Sequence, residues 1–236
     1  MSISKVLSLS FVTRALSLRA VFTMLALTLL VVGTSQQSLS TAAGSDRSPE
    51  VLVELAEKGD PQAQFNLGVI YYYGKGVPTD YQKAFSWFQK AADRGYAAAE
   101  YALGRMYYYG RGVRQDLGAA LNWFRKSADK GYTDAQFALG VMYQFGKAIE
   151  IDLARAAEWY RKAAQKGFAA AQYALGAMYS LGQGGAKDVK EAVKWLRKAA
   201  EQNYEPAKQT LIIVESEQPD RDVRIKEIQI TLGEAL

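Results

Sequence analysis

The sequence predicts an all-α fold, an αα-hairpin solenoid, and two observations carry that prediction. Segments ending at Tyr96, Tyr132, Phe168 and Tyr204 repeat one pattern at a constant spacing of 36 residues, and a fixed period of about 20 to 50 residues is the signature of a repeat architecture. Each segment also divides into two stretches of helical periodicity joined by a short glycine-containing loop, which makes one helical hairpin per unit. The chain has 236 residues, 49% of them hydrophobic and 12% aromatic, so there is enough apolar material to build a continuous core between stacked hairpins.

The first 43 residues read as an address rather than as part of the solenoid. Lys5, Arg14 and Arg19 precede an uncharged run from Ala20 to Gly33, and no acid occurs before Gly44. A spanning helix needs roughly 20 apolar residues, whereas a run of this length suits the apolar region of a signal peptide. Small residues follow in a pattern that a signal peptidase accepts, which places cleavage near Ala42 or Ala43. The alternative is an uncleaved signal anchor that holds the repeats at a membrane. Either form puts the repeats outside the cytoplasm, in the periplasm, secreted, or anchored to the inner membrane and facing the periplasm. Cysteine is absent from the chain, so neither a lipoprotein anchor nor a disulfide is available to the exported part.

Residues 44–60 are expected to form an N-terminal capping helix. Ser48-Pro49-Glu50 starts it with proline at the first helical position, and Leu55 to Gly59 copies the end of a repeat. Four full units follow, at 61–96, 97–132, 133–168 and 169–204.

In the first unit, helix A is expected from Pro61 to Tyr73. Ala63, Leu67, Ile70 and Tyr71 share one stripe at helical spacing, which is the face assigned to the core. Gly68, Gly104, Gly140 and Gly176 sit inside the A helices. Glycine there costs about 1 kcal/mol relative to alanine, so its return in each unit implies that another backbone passes close, at the contact of helix A with helix B. Gly74-Lys75-Gly76-Val77 ends helix A, and Asp80, Asp116, Asp152 and Asp188 are expected to cap the B helices by accepting free backbone N–H groups. Helix B carries Ala84, Trp87, Phe88 and Ala91 on one face, with matching residues 36 positions on, and these aromatics are assigned to the core. Residues 205–216 are expected to cap the far end. The tail at 217–236 is compatible with a short helix or with an extended segment.

The pattern A-x-Q/E-F/Y-x-L-G-x-M/I-Y, then G-x-G-V, then Asp, then A-x-x-W-F/Y-x-K-A-A-x-x-G resembles the Sel-1-like repeat, a relative of the tetratricopeptide repeat. The resemblance covers residues 48–214. Two turns depart from it: Ala148 and Ile149 replace the second glycine and the valine in unit three, and Gly185 replaces the valine in unit four. It implies a right-handed superhelix whose concave face is lined mainly by A helices, and a scaffold that binds proteins in the bacterial cell envelope.

Composition narrows the function further. The absence of both cysteine and histidine removes the commonest nucleophile, the commonest general base and most transition-metal ligands. No catalytic residue, cofactor or metal is therefore assigned. The net charge of +5 falls to +2 from Gly44 onward, with signs interspersed. Duplex binding needs a clustered basic stripe, so a nucleic-acid partner is excluded.

Positions opposite the core stripe line the expected groove. Tyr73, Tyr109, Phe145 and Leu181 form an apolar ladder for a segment of a protein partner, Val141 lies beside it, and Arg105 reads an acidic group. Aromatic residues and arginine are the usual anchors of such contacts. The same side chains can instead pack between neighbouring A helices. A second class of function, binding of the cell wall or hydrolysis of β-lactam-type substrates, follows from resemblance to exported, often cysteine-rich, relatives. It lacks support in the residues: no S-x-x-K with its partner motifs and no G-x-S-x-G occur.

Overall fold

The computed structural model describes residues 49–216 and 221–234. The expected export segment and its cleavage site lie outside the described residues. Among the described residues the chain forms eleven helices and no strand: α1 (Pro49–Glu57), α2 (Pro61–Tyr73), α3 (Tyr81–Asp93), α4 (Ala97–Tyr109), α5 (Leu117–Asp129), α6 (Thr133–Phe145), α7 (Leu153–Gln165), α8 (Ala169–Leu181), α9 (Val189–Glu201), α10 (Glu205–Glu215) and α11 (Arg221–Glu234). Helices α2, α4, α6 and α8 are the A helices of the four units, and α3, α5, α7 and α9 are the B helices. Each A helix packs against the helix before it and the helix after it, so the units stack in chain order.

The boundaries follow from local chemistry. The backbone N–H groups of Lys83, Ala119, Arg155 and Glu191 donate to the side chains of Asp80, Asp116, Asp152 and Asp188 at 2.9, 2.9, 2.9 and 3.0 Å, which satisfies a donor that the helix start leaves open. Helix α2 ends on Gly74 in the left-handed region at φ 68°, a conformation that costs an L residue. The A-to-B turn is then closed identically in all four units: Asp80, Asp116, Asp152 and Asp188 donate their N–H groups to the carbonyls of Tyr71, Tyr107, Tyr143 and Tyr179. The turn in unit three keeps this closure despite its altered sequence. Its Ala148 takes φ 61°, where the other units have glycine.

The core is a stack of three-ring clusters. Phe65 lies 5.5 Å from Phe88 and 5.4 Å from Tyr96, Tyr101 lies 5.6 Å from Phe124 and 5.3 Å from Tyr132, and Phe137 lies 5.5 Å from Tyr160 and 5.2 Å from Phe168. In unit four Leu196 stands where the B-helix ring would be, leaving Tyr173 against Tyr204.

Three expectations about this core need correction. Ala63 and Leu67 are buried, Ile70 and Tyr71 pack against the core but stay half-exposed, and the interior also takes Phe65, Val69 and Tyr72. An A helix is flanked on several sides, so a single stripe does not describe its buried surface. The indoles of Trp87, Trp123 and Trp159 are half-exposed and only Trp195 is buried. A lysine one turn on roofs each of them, with Lys90, Lys126, Lys162 and Lys198 at 4.0, 4.3, 3.8 and 4.6 Å from the ring centres. The recurrent glycine does mark the A-to-B contact, but in the first three units a ring rather than a backbone approaches. A Cβ at Gly68 or Gly104 would lie 2.5 or 2.6 Å from Phe88 or Phe124, and one at Gly140 would meet Tyr160.

The chain's last helix departs from the repeat. After α10, α11 does not pair with its predecessor as a B helix pairs with an A helix; it packs on α10 and also on α8, both members of the A layer. Ile225 is fully buried there, in the cluster that holds Ala177, Tyr173 and Ile213, and Lys187 bonds Asp222 at 2.9 Å. The tail therefore contributes a helix that lies across the A helices.

Candidate functional site

The six residues expected to line the groove come from two levels of the A helices. Tyr73, Tyr109, Phe145 and Leu181 are the last residues of α2, α4, α6 and α8, each followed by a left-handed glycine. Arg105 and Val141 lie one turn earlier, at the level of Val69 and Ala177. The structure brings Tyr73, Arg105 and Tyr109 together at the seam of units one and two. It places Val141 and Phe145 in the core cluster of unit three and Leu181 against the cluster that contains Ile225.

Exposure separates them. Tyr109 is 41% exposed, whereas Tyr73, Phe145 and Leu181 are partly buried and Val141 is only 4% exposed. Val141 therefore backs the row rather than presenting a surface, because the A helices on either side leave its short side chain no path outward. Leu181, partly buried, packs against the cluster that includes Ile225 of α11.

The seam of units one and two is the polar anomaly in this layer. The Arg105 guanidinium lies 5.9 Å from the ring centres of both Tyr101 and Tyr109. Arg111 donates to the Tyr72 hydroxyl at 2.5 Å and lies 5.3 Å from the Tyr109 ring and 5.9 Å from the Tyr81 ring. Lys75 sits 5.9 Å from the Tyr73 ring. Burial pushes the Tyr73 and Tyr109 hydroxyls up from the ordinary phenol value, with Arg105 pulling the other way, so both are neutral donors at physiological pH. The buried Tyr73 hydroxyl faces the Arg105 guanidinium, which acts on it, while neither that hydroxyl nor Arg105 Nη1 makes a close hydrogen bond. Beside them is a shallow apolar dent with free space for about one water molecule, lined by Val69, Tyr72, Tyr73, Phe88, Ala102 and Arg105.

Sequence reasoning missed Tyr72, Tyr81, Arg111 and Lys75 at this seam. A signal was present: Lys75 and Arg111 occupy the same place between the two loop glycines. Their neighbours are loop residues of one unit and helix residues of another, a contact that becomes visible only when the stacking distance is known.

Motif positions of unexplained purpose also acquire roles. Gln64, Gln136 and Gln172 donate to the carbonyls of Ala56, Ala128 and Ala164 at the end of the preceding helix, at 3.0, 3.3 and 3.1 Å. Glu100 holds this position in unit two, cannot donate when ionised, and pairs with Lys130 at 2.6 Å. Ser127 is fully buried and donates to the carbonyl of Ala97 at 2.7 Å, so Ser127 and Lys130 both tie helix B to helix A within unit two. Among the described residues there is no group of three or more Asp or Glu placed to hold a metal, and no helix long and apolar enough to cross a membrane.

The geometry of four stacked hairpins at constant spacing meets a direct counterpart in known proteins. The family described as Sel1 repeat matches residues 61–96, 97–132, 133–168 and 169–204, the unit boundaries set by the 36-residue period. The chain belongs to the Sel1 repeat family. Solved structures agree. A Sel1 repeat protein from Oxalobacter formigenes superposes with a TM-score of 0.66 at 40% identity, over 70% of this chain and 48% of that one. A protective antigen of uropathogenic Escherichia coli, c5321, described as displaying an SLR fold, superposes with a TM-score of 0.68 at 34% identity, over 80% of this chain and 41% of that one. This Sel1 repeat chain thus spans less than half the length of either relative. No curated protein matches it. Sel1 repeats build a helical scaffold, and proteins of the family bind protein partners.

Proposed function

We propose that this Sel1 repeat protein is an exported scaffold whose A-helix layer receives a segment of a protein partner in the bacterial cell envelope. The observation that carries the reading is the placement of α11. An apolar helix edge, with Ile225 fully buried and Ile228 packed beside it, lies on α8 and α10. The A layer thereby holds a helix at unit four, which is the mode of an amphipathic helix laid in a groove. Towards the other end, Phe145, Tyr109, Arg105 and Tyr73 continue the row with rigid aromatic side chains and one cation, the residue types that dominate binding energy in protein interfaces. The charge and length of the segment before Gly44 support export.

Affinity capture from an envelope extract, with the purified chain beside a variant altered at both Arg105 and Tyr109, tests this reading. Recovery of one protein by the unaltered chain alone is the expected result. Equal capture by both, with the variant shown to be helical and cooperatively folded, would remove the A layer as the binding face. Recovery of cell-wall glycan in place of a protein would favour the cell-wall alternative.

A further inference from the structure

The stack ends on a helix whose outer side is bare. Ile212 of α10 falls one period after Gly176, at the place where Gly68, Gly104, Gly140 and Gly176 each meet a side chain of their own B helix. A B helix belongs there, yet Ile212 is 70% exposed. The next helix, α11, lies on α10 and α8 instead. Its Ile225 is fully buried in the cluster that holds Ala177 and Ile213. Those two residues are one period apart and continue the row of Val69, Arg105 and Val141, which is the row of the proposed groove. A terminal cap protects a stack by covering its last apolar face. Here α11 turns its apolar edge to the groove and leaves that end open.

The docking of α11 is also incomplete. Gln229, one turn after Ile225, is buried and its Nε2 makes no hydrogen bond; a buried amide without an acceptor opposes the contact that buries it. Ile230 points its apolar side chain to solvent. The ion pair of Asp222 with Lys187, at 2.9 Å, joins two exposed side chains, where salt screens it. A helix as short as α11 is marginal in water once undocked, so its release clears the face altogether.

We infer that α11 is a displaceable occupant of the partner's seat: the face of α8 and α10 that it covers docks an amphipathic helix of the partner, and the chain's own helix holds that face closed in the partner's absence. The inference rests on the proposed groove and adds its regulation and the chemistry of the incoming segment. The occupant shows that chemistry: branched aliphatic residues three positions apart, as Ile225 and Ile228, with an acid three positions before them, as Asp222, to meet Lys187. A partner helix with an apolar residue in place of Gln229 leaves no amide unsatisfied, which favours the exchange.

The test uses the full chain and labelled, end-blocked peptides of residues 221–234, followed by fluorescence anisotropy. One peptide has the native sequence, one carries Gln229→Leu, and a control carries Ile225→Asp with Ile228→Asp. The chains are the wild type and two release variants, Ile225→Asp and Ile228→Asp, with hydrogen exchange used to show that α2 to α9 stay folded. The Gln229→Leu peptide should bind both release variants saturably and more tightly than the native peptide, and the control should not bind. Its affinity for the wild type should be at least about tenfold weaker, because only the open fraction of the chain accepts it. No saturable binding to either release variant would overturn the seat. Equal affinity for wild type and release variants would overturn the closure by α11. A wild-type dimer that Ile225→Asp dissolves would assign the seat to α11 of a second copy and overturn displacement within one chain. From envelope extract, Ile225→Asp should capture more of one protein than the wild type does; equal capture would remove this inference and leave the scaffold reading standing.

Discussion

Replacing Gly104 by alanine tests how the hairpins are held together. The added Cβ would lie 2.6 Å from two ring carbons of Phe124, well inside the roughly 3.5–4.0 Å at which carbon atoms attract. Phe124 is 3% exposed and its ring is 5.6 Å from that of Tyr101, so it has no free space to retreat into. Overpacking of this kind costs about 1–3 kcal/mol, against a helix-propensity gain of about 1 kcal/mol for alanine over glycine. A net loss of up to about 2 kcal/mol is expected, a fall of up to about 8 °C in melting temperature for a domain of this size. Circular dichroism at the helical minimum, followed through thermal and urea unfolding, gives the value. The double variant Gly104→Ala with Phe124→Leu decides the cause: leucine already faces Gly176 in unit four, so the two changes together should cost less than their sum. A higher melting temperature for Gly104→Ala, or strict additivity with Phe124→Leu, would refute the ring-on-glycine account.

Four further expectations follow from individual residues. Ala148→Gly should stabilise the chain by about 1 kcal/mol, because φ 61° costs an L residue that much and glycine nothing; a lower midpoint in urea would contradict it. Lys130→Met leaves the Glu100 carboxylate buried without its cation and should cost about 1–3 kcal/mol, whereas Glu100→Gln restores the donor found in units one, three and four and should remove most of that cost in the double variant. The Asp80 carboxyl is held below its ordinary value, chiefly by the backbone N–H of Lys83. Its folded form therefore binds fewer protons than the unfolded chain below about pH 4, so its contribution is present above that range and is lost as the pH falls through it. Asp80→Asn, which still caps, should flatten the acid limb of the stability curve while leaving the midpoint near pH 7 almost unchanged. Ile225→Asp should release α11 alone, seen as hydrogen exchange that rises over α11 and the facing residues of α8 and stays constant in α2 to α5.

The regular parts of the fold were legible because each rests on local chemistry. The aspartate caps, the left-handed glycines and the length of α2 need only the residues within one turn, and a 36-residue period repeats the same information four times. The core was legible only in part. Ala63 and Leu67 follow from the helical stripe, but burial of Phe65 and Val69 arises from neighbours on several sides, which a single-helix pattern does not contain. The tryptophans pack against the core as assigned, but three of them stay half-exposed, because hydrophobicity alone does not separate a buried indole from one roofed by a lysine at i+3. At the site, Tyr73, Arg105 and Tyr109 were found from the stripe opposite the core, while Arg111 and Tyr72 meet across 39 residues and depend on how adjacent units stack. The docking of α11 on α8 had no local signal, since it depends on where the last described helix settles.

The central claim is that the A layer is the surface a partner meets. A photo-cross-linking amino acid placed at Tyr109, on the A layer, and separately at Asn122, exposed on the B helix of the same unit, tests it most directly in cells that express the chain. The account predicts one discrete cross-linked protein from position 109 and none from position 122. Cross-links from position 122 alone, or the same product from both positions, would contradict it.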